Sequence, residues 1–380
     1  MQKTVKATYM RGGTSKGLFF NGNDLPADQA ARDAIFLKAN GSPDPYGKQV
    51  DGLGGATSST SKAVVVTPSN RPDCDVDYLF GAVSISEAVV DYSGNCGNLT
   101  SAVGPFAIHQ DMVKNLPQNG IASVAIWQEN IGKKIIAHVP IKDGTVAETG
   151  DFVLDGVTFP SAEVVLDFMD PADASEGLFP TGNTIDTVTI PGVGNIEVTL
   201  INAGNPHIFA RAKDLGIDAN CRPNDVNSNP DLLARLEKIR AYCAVTMGLA
   251  STPEEATKLR PHTPKLAFFA EPLAYTCDSG KALTPADSDI TARIMSMGKM
   301  HHAMTGTGGV GIASAASIEG TVVNQIANSA ANPSQALRIA HPSGLMAVGA
   351  TATFDNEQWQ VEKVSMSRSA RRLMAGEVFV

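Results

Sequence analysis

The sequence predicts an α+β fold: a pseudo-duplicated, two-domain architecture, each domain a mostly antiparallel sheet or barrel around a central helix of small residues. Three observations lead to it. Short β-branched or alternating runs recur in both halves of the 380-residue chain, the pattern of strands half-buried in a sheet. One run in each half is so rich in small apolar residues that a helix there must be closely surrounded. Each of those helices is entered through a glycine-bearing turn, Ser93-Gly94-Asn95-Cys96-Gly97-Asn98 in the first half and Met304-Thr305-Gly306-Thr307-Gly308 in the second. With 35 glycines, 22 prolines and only 18% charged residues, strands and turns are favoured over long surface helices.

In order along the first half, strands are expected at Val5 to Met10, Gly17 to Asn21, Lys62 to Thr67, Asp75 to Phe80, Ala82 to Ile85, Ser123 to Trp127 and Lys134 to Val139, with the apolar helix after Cys96. In the second half, strands are expected at Thr187 to Ile190, Asn195 to Asn202, Ile208 to Ala212 and Pro264 to Ala270. A charged helix from Pro230 to Met247 follows from the spacing of Leu232, Leu233, Leu236, Ile239 and Tyr242. The small-residue helix then runs to Ala316, and strands at Leu345 to Phe354 and Trp359 to Met366 close the half. The turn Phe179-Pro180-Thr181-Gly182-Asn183 marks the expected boundary, giving domains of residues 1–183 and 184–380. The last strand or helix is allowed to pack back on the first domain.

A net charge of −9 without any compensating run of Lys or Arg argues against nucleic acid as a partner. No window approaches 18 uninterrupted apolar residues, so no membrane span is expected. The opening Met-Gln-Lys-Thr-Val-Lys reads as a strand rather than a signal peptide. Five cysteines, at 74, 96, 221, 243 and 277, lie far apart without metal-ligand spacing, which suits reduced thiols in the cytoplasm.

Four stretches could carry chemistry. Cys96 sits at the mouth of a helix whose unpaired N–H groups and dipole favour an anion, a ligand carboxylate or its own thiolate; the alternative is a buried packing cysteine. Arg11-Gly12-Gly13-Thr14-Ser15-Lys16-Gly17 reads as an anion cradle of backbone N–H groups, hydroxyls and two cations, or as a plain hairpin turn. Lys62 follows the hydroxyl-rich Ser59-Thr60-Ser61. It is either a snorkelling surface lysine or, if tucked beside Cys96 in a cleft, an amine that desolvation renders neutral and basic. The Asn205-Pro206 step excludes helix and presents an amide at a bend, next to His207, a structural or a catalytic histidine. His341-Pro342-Ser343-Gly344 and Ser367-Arg368-Ser369-Ala370-Arg371-Arg372 complete the set, the latter as a solvated helix face or a carboxylate clamp. The adjacent His301 and His302 diverge on any regular element and make poor metal ligands; no metal site is expected.

Taken together, Tyr9 to Gly17, Gly41 to Gln49, Gly54 to Lys62, Asp77 to Gly81, Ser93 to Thr100, Phe179 to Asn183, His301 to Met304, His341 to Gly344 and Ser367 to Arg371 resemble the 2-methylaconitate cis-trans isomerase (PrpF) family, within the diaminopimelate-epimerase-like fold. The Gly204-Asn205-Pro206-His207 step is similar to the wider epimerase superfamily. The resemblance spans essentially the whole chain. It implies two similar domains with a site between them, and proton transfer without cofactor. The superfamily's epimerases use two opposed cysteines at the two central helix N-termini. Here Cys96 holds the first place, whereas Thr305-Gly306-Thr307-Gly308 has no thiol, which tells against two-thiol epimerisation.

The resemblance further implies that Lys62 is the catalytic base with Cys96 near it. Arg11, Gly13, Thr14, Ser15, Lys16, Ser59, Thr60, Ser61, Asn95, Gly97, Asn98, Asn205, Thr305, Gly306, Thr307, Ser343 and Arg368 are expected to hold substrate. The expected substrate is an unsaturated tricarboxylate, 2-methyl-trans-aconitate, converted to its cis isomer in propionate catabolism. The same Lys–Cys pair serves 3-methylitaconate isomerases and 4-oxalomesaconate tautomerases. From another class comes an accessory protein for an iron–sulfur dehydratase. A homodimer and a functional partnership with an aconitase-like dehydratase are further expectations.

Overall fold

The computed structural model describes residues 3–172, 177–327 and 336–380. The chain forms two compact units, Met1–Asp167 with Ser367–Val380, and Phe168–Met366. The turn at 179–183, expected as a boundary, lies inside the second unit. Asn202 N donates to Leu178 O at 2.8 Å and Thr181 Oγ1 donates to Asp186 Oδ2 at 2.7 Å, tying it to the strands that follow.

In the first unit, β1 (Thr4–Gly12) and β2 (Ser15–Asn21) make an antiparallel hairpin, and β3 (Lys62–Pro68) runs parallel to β2. β4 (Val76–Val83) is antiparallel to β3; β5 (Gly120–Gln128) is parallel to β4 and antiparallel to β6 (Lys133–Lys142). On the opposite edge β1 pairs with the chain's last strand, Gln358–Phe379. β4 joins two expected strands into one. Gly81 continues it rather than breaking it, because a Cβ there would sit 2.8 Å from Val90 Cγ1; the glycine admits a close neighbour.

Among the described residues two α-helices serve this unit. α1 (Gln29–Asn40), which the sequence reading did not anticipate, has recognisable stops: Asp28 accepts from Ala31 N at its start and Gly41 takes φ +75° at its end. Ile35 and Phe36 pack with Leu18, Phe20 and Val65 on one side of the sheet. α2 (Gly97–His109) is buried from Gly97 to Ile108 and fills the crossover between the parallel β4 and β5. A helix apolar on every side needs walls on every side. Its small residues let those walls close in: a Cβ on Gly104 would lie 2.8 Å from Val139 Cγ2.

In the second unit, β7 (Asp186–Ile190), β8 (Gly194–Ala203) and β9 (Asn205–Arg211) form an antiparallel meander. α3 (Pro230–Thr246) packs Leu236 and Ile239 against Val198, Leu200 and Phe268. β10 (Lys265–Ala270) is parallel to β9, and β11 (Ile290–Ser296) antiparallel to β10. After α4 (Gly306–Ala316), buried throughout, β12 (Leu337–His341) lies parallel to β11 and antiparallel to β13 (Gly344–Asp355). α4 thus also fills a crossover between parallel strands. No helix among the described residues is long and apolar enough to cross a membrane.

Candidate functional site

The Arg11–Gly17 stretch forms the tip of the β1–β2 hairpin, with Gly12 opposite Ser15. That tip is not a solvated turn: it packs on the first turn of α2. A Cβ on Gly12 would lie 2.7 Å from the carbonyl oxygen of Asn98 and 2.9 Å from Leu99 Cα. Gly13 adopts φ +52° against the Asn98 side chain, and its N–H donates to Ser369 O at 2.9 Å. Asn98 Nδ2 donates to Thr14 Oγ1 at 2.9 Å. Arg11 braces the same turn, Nη1 donating to Gly13 O and Ser369 O and Nη2 to Ser161 Oγ. Burial, then the nearby Arg371, lowers its pKa to about 10. Ser15 is buried at the head of β2, and Lys16 Nζ lies 5.2 Å from the centre of the Tyr9 ring.

Lys62 opens β3 and is only 4% exposed, so it is no snorkelling surface lysine. Its place follows from register. In the β3–β4 pair Lys62 stands opposite Ala82, Val64 opposite Phe80 and Val66 opposite Tyr78, all on one face. The Lys62 Nζ therefore lies over the Phe80 ring, 4.8 Å from its centre. Among the described residues it makes no hydrogen bond or ion pair. Gly17 lets the strand approach α2, since a Cβ there would meet Lys62 Cβ at 2.9 Å and Leu99 Cδ1 at 3.3 Å. The preceding hydroxyls are engaged within their own loop: Ser59 Oγ and Thr60 Oγ1 bond Thr57 Oγ1, and Ser61 Oγ donates to Gln49 Oε1 at 2.6 Å.

Cys96 is the N-cap of α2, extended at φ −111°, and 7% exposed. Its carbonyl accepts from Thr100 N and Thr100 Oγ1, both at 3.0 Å, and from the Tyr78 hydroxyl at 3.4 Å. Its side chain makes no capping bond. The opening N–H groups of α2, those of Gly97 and Asn98 among them, thus keep their capacity for an anion, reinforced by the helix dipole. Asn95 is buried beside them. β4 links the two candidate catalytic residues: Tyr78 fixes the Cys96 backbone, and two residues on, Phe80 underlies Lys62. Sequence reasoning gave neither aromatic a role; the signal was their two-residue spacing, which only the strand register connects to Lys62.

In the second unit, Asn205 Nδ2 donates to Thr307 Oγ1 at 3.1 Å, and Thr305 caps α4 by accepting from Gly308 N at 3.0 Å. Gly306 is the first residue of that helix. Ser343 donates to the His302 carbonyl at 2.6 Å, while the rings of His301 and His302 stack 4.6 Å apart. His207 is fully buried, and a Cβ on Gly311 would lie 2.8 Å from its Nδ1. That nitrogen bonds Asn205 O at 2.7 Å; a carbonyl only accepts, so Nδ1 carries a proton.

Burial, then Lys265, pushes the His207 pKa down from 6.5 to about 3. The unfolded chain takes up a proton near pH 6.5 that the folded chain refuses, so stability falls as pH drops between those values. The slope is about 1.4 kcal/mol per pH unit. Urea denaturation at pH 7 and pH 5 should show roughly 2 kcal/mol more loss in the parent than in His207→Gln; equal losses would contradict this account.

The C-terminal basic stretch is a strand, not a helix face: Arg371 and Arg372 pair with Arg11 and Met10 along β1. Edge pairing with β1 decides this, which no local pattern announces. Arg368 is buried, its pKa lowered to about 10 by desolvation, whereas Arg371 and Arg372 are exposed. Among the described residues, no three His, Cys, Asp or Glu side chains group as metal ligands.

The family model described as "PrpF protein" matches residues 2–380. The chain belongs to the PrpF family. It is 54% identical over 389 residues to the 2-methyl-aconitate isomerase of Shewanella oneidensis, covering 100% of this chain and 97% of that one. Among solved structures it is similar to methylitaconate-delta-isomerase, with a TM-score of 0.77 at 41% identity, covering 100% and 96% of the two chains. A hydroxyproline epimerase from Agrobacterium vitis, with bound trans-4-hydroxy-L-proline, matches at a TM-score of 0.57 and 10% identity over 100% and 94% of the chains; that likeness is one of fold. This PrpF-family chain therefore buries an amine that has no hydrogen-bonding or ionic partner among the described residues, on a strand that approaches the first turn of a buried helix across Gly17. Such an amine can accept a proton or bind a carboxylate, and the helix N-terminus can stabilise developing negative charge.

Proposed function

We propose that this protein is an isomerase of an unsaturated tricarboxylate, converting 2-methyl-trans-aconitate to 2-methyl-cis-aconitate in propionate catabolism. The observation that carries the reading is Lys62, buried on the strand beside α2 and, among the described residues, without a hydrogen-bonding or ionic partner. Rotation about a C=C bond is prohibitive at ambient temperature. Lys62 removes a proton from the methylene next to the double bond, leaving an allylic carbanion delocalised into a carboxylate. The former double bond then turns as a single bond, and the proton returns to the same carbon. Cys96, Asn95, Gly97 and Asn98, with the Arg11–Lys16 and Ser59–Ser61 turns, hold carboxylates and offset the developing charge. Asn205, Thr305, Gly306, Thr307, Ser343 and Arg368 are proposed for the remaining substrate contacts.

The similarity to methylitaconate-delta-isomerase favours a second substrate for the same shuttle. Returning the proton to the other allylic carbon shifts the double bond instead of turning it. The reading extends to a cytoplasmic homodimer that passes its product to an aconitase-like dehydratase. It also takes the two units as a duplication, supported by their common series of pairings: antiparallel, parallel, antiparallel, parallel across the helix, antiparallel.

The test offers purified protein 2-methyl-trans-aconitate, 3-methylitaconate and 4-oxalomesaconate separately, followed by proton NMR. Fastest turnover of the first, unchanged after exhaustive chelation and without added nicotinamide, flavin or pyridoxal phosphate, is the expected result. Turnover of none, or loss on chelation that a metal restores, overturns the proposal.

A further inference from the structure

The geometry points to Gln49 as a positioning residue for Lys62, acting through Ser61; this rests on Lys62 being the base. Gln49 belongs to a loop whose outer side chains contribute nothing to the core, Tyr46 being 84% and Val50 88% exposed. Gln49 itself turns inward, 1% exposed, with its backbone in the left-handed region at φ +52°. That conformation is costly for a residue with a side chain. Asp44 holds it in place, its carboxylate accepting from the N–H groups of Tyr46, Lys48 and Gln49 at 2.9, 2.7 and 2.6 Å. The same three bonds hold the Asp44 carboxyl below the usual carboxylate range, so the clasp is closed at neutral pH.

Both ends of the Gln49 amide are then bonded. Nε2 donates to Ser42 Oγ at 2.9 Å, while Oε1 accepts from Ala56 N at 2.7 Å and from Ser61 Oγ at 2.6 Å. Gly54 makes room for it, because a Cβ there would lie 2.5 Å from Gln49 Cδ. Ser61 is also held by its carbonyl, which accepts from Val83 N at 3.1 Å. The residue before Lys62 is therefore fixed at side chain and backbone together, and Lys62 leaves that anchor at the first position of β3. A base that removes a proton from carbon depends on such placement, since an error of about 1 Å can cost on the order of 10²-fold in rate.

The experiment measures kcat, KM and melting temperature on 2-methyl-trans-aconitate for Gln49→Leu, Gln49→Glu, Ser61→Ala and the Gln49→Leu/Ser61→Ala double variant. Lys62→Ala runs alongside, assayed by deuterium wash-in. Gln49→Leu should lose roughly 10- to 100-fold in kcat, with KM within about threefold of the parent. Gln49→Glu keeps an acceptor for Ala56 N and Ser61 Oγ and should recover most of that loss. The double variant should fall no further than the worse single one, the mark of two residues acting on one line. Parental kcat in Ser61→Ala, or losses that multiply in the double variant, overturns the proposal; Ser61→Ala and Gln49→Glu decide it even if Gln49→Leu does not fold. Parental wash-in by Lys62→Ala instead overturns the base assignment itself.

Discussion

Lys62→Ala is expected to slow deuterium wash-in at the substrate methylene by at least about 10²–10⁴-fold, the share of rate a general base supplies. On that face of the strand pair its neighbours are Val64, Ala82, Phe80 and Tyr78, none of which carries an amine. Lys62→Arg should fail as badly, because a guanidinium stays protonated at any working pH. Cys96→Ser should retain far more activity, since a hydroxyl or a water at the helix mouth can still donate toward a carboxylate. The measurement is solvent exchange in D₂O read by NMR, which follows the proton itself. If Lys62→Ala washes in deuterium at the parental rate, Lys62 is not the base, and Cys96 and Lys16 become the groups to test.

Gly12→Ala is the second large effect, and it acts through packing. The new methyl would lie 2.7 Å from the Asn98 carbonyl oxygen and 2.9 Å from Leu99 Cα. Both are backbone atoms of the first turn of α2, and no rotamer change relieves them. Overpacking of this kind costs about 1–3 kcal/mol, here at the upper end. For a unit of this size the melting temperature should fall by roughly 5–10 °C. Activity should fall too, because the methyl pushes the hairpin tip off the helix N-terminus that the proposal gives to a carboxylate. Thermal unfolding and kcat/KM measured on one preparation test this; a parental melting temperature would show that the contact is not a tight one.

The two glycine-entered helices were legible in the sequence because a run of small, mostly apolar residues leaves few alternatives to a buried helix. The strands were legible for the same kind of reason: Lys62–Pro68 and Lys133–Lys142 carry a burial pattern that β-branched and alternating residues announce. α1 was not, although its Asp28 cap and Gly41 stop are visible once sought, because only Ile35, Phe36, Ala39 and Asn40 of it are buried. The division of the chain was less legible still. The 179–183 turn has every local mark of a linker, yet its hydrogen bonds to Asn202 and Asp186 belong to one unit. The return of Ser367–Val380 to the first unit rests on pairing with a strand at the other end of the chain.

By itself, then, the sequence determined which residue types stand at which turns: a cysteine at one helix mouth, threonines and glycines at the other, a lysine at the head of an apolar strand, and the family they resemble. Composition and local periodicity suffice for that, because they act over a few residues. Only the tertiary structure decided whether Lys62 was a surface cation or a buried amine, since its surroundings come from β4 and from α2 across Gly17. It alone brought Phe80 to the candidate base, Tyr78 to the capping cysteine and Gln49 to Ser61. Those contacts join positions 12 to 18 residues apart, and the pleat, register and close backbone approach that create them leave no mark in the local sequence.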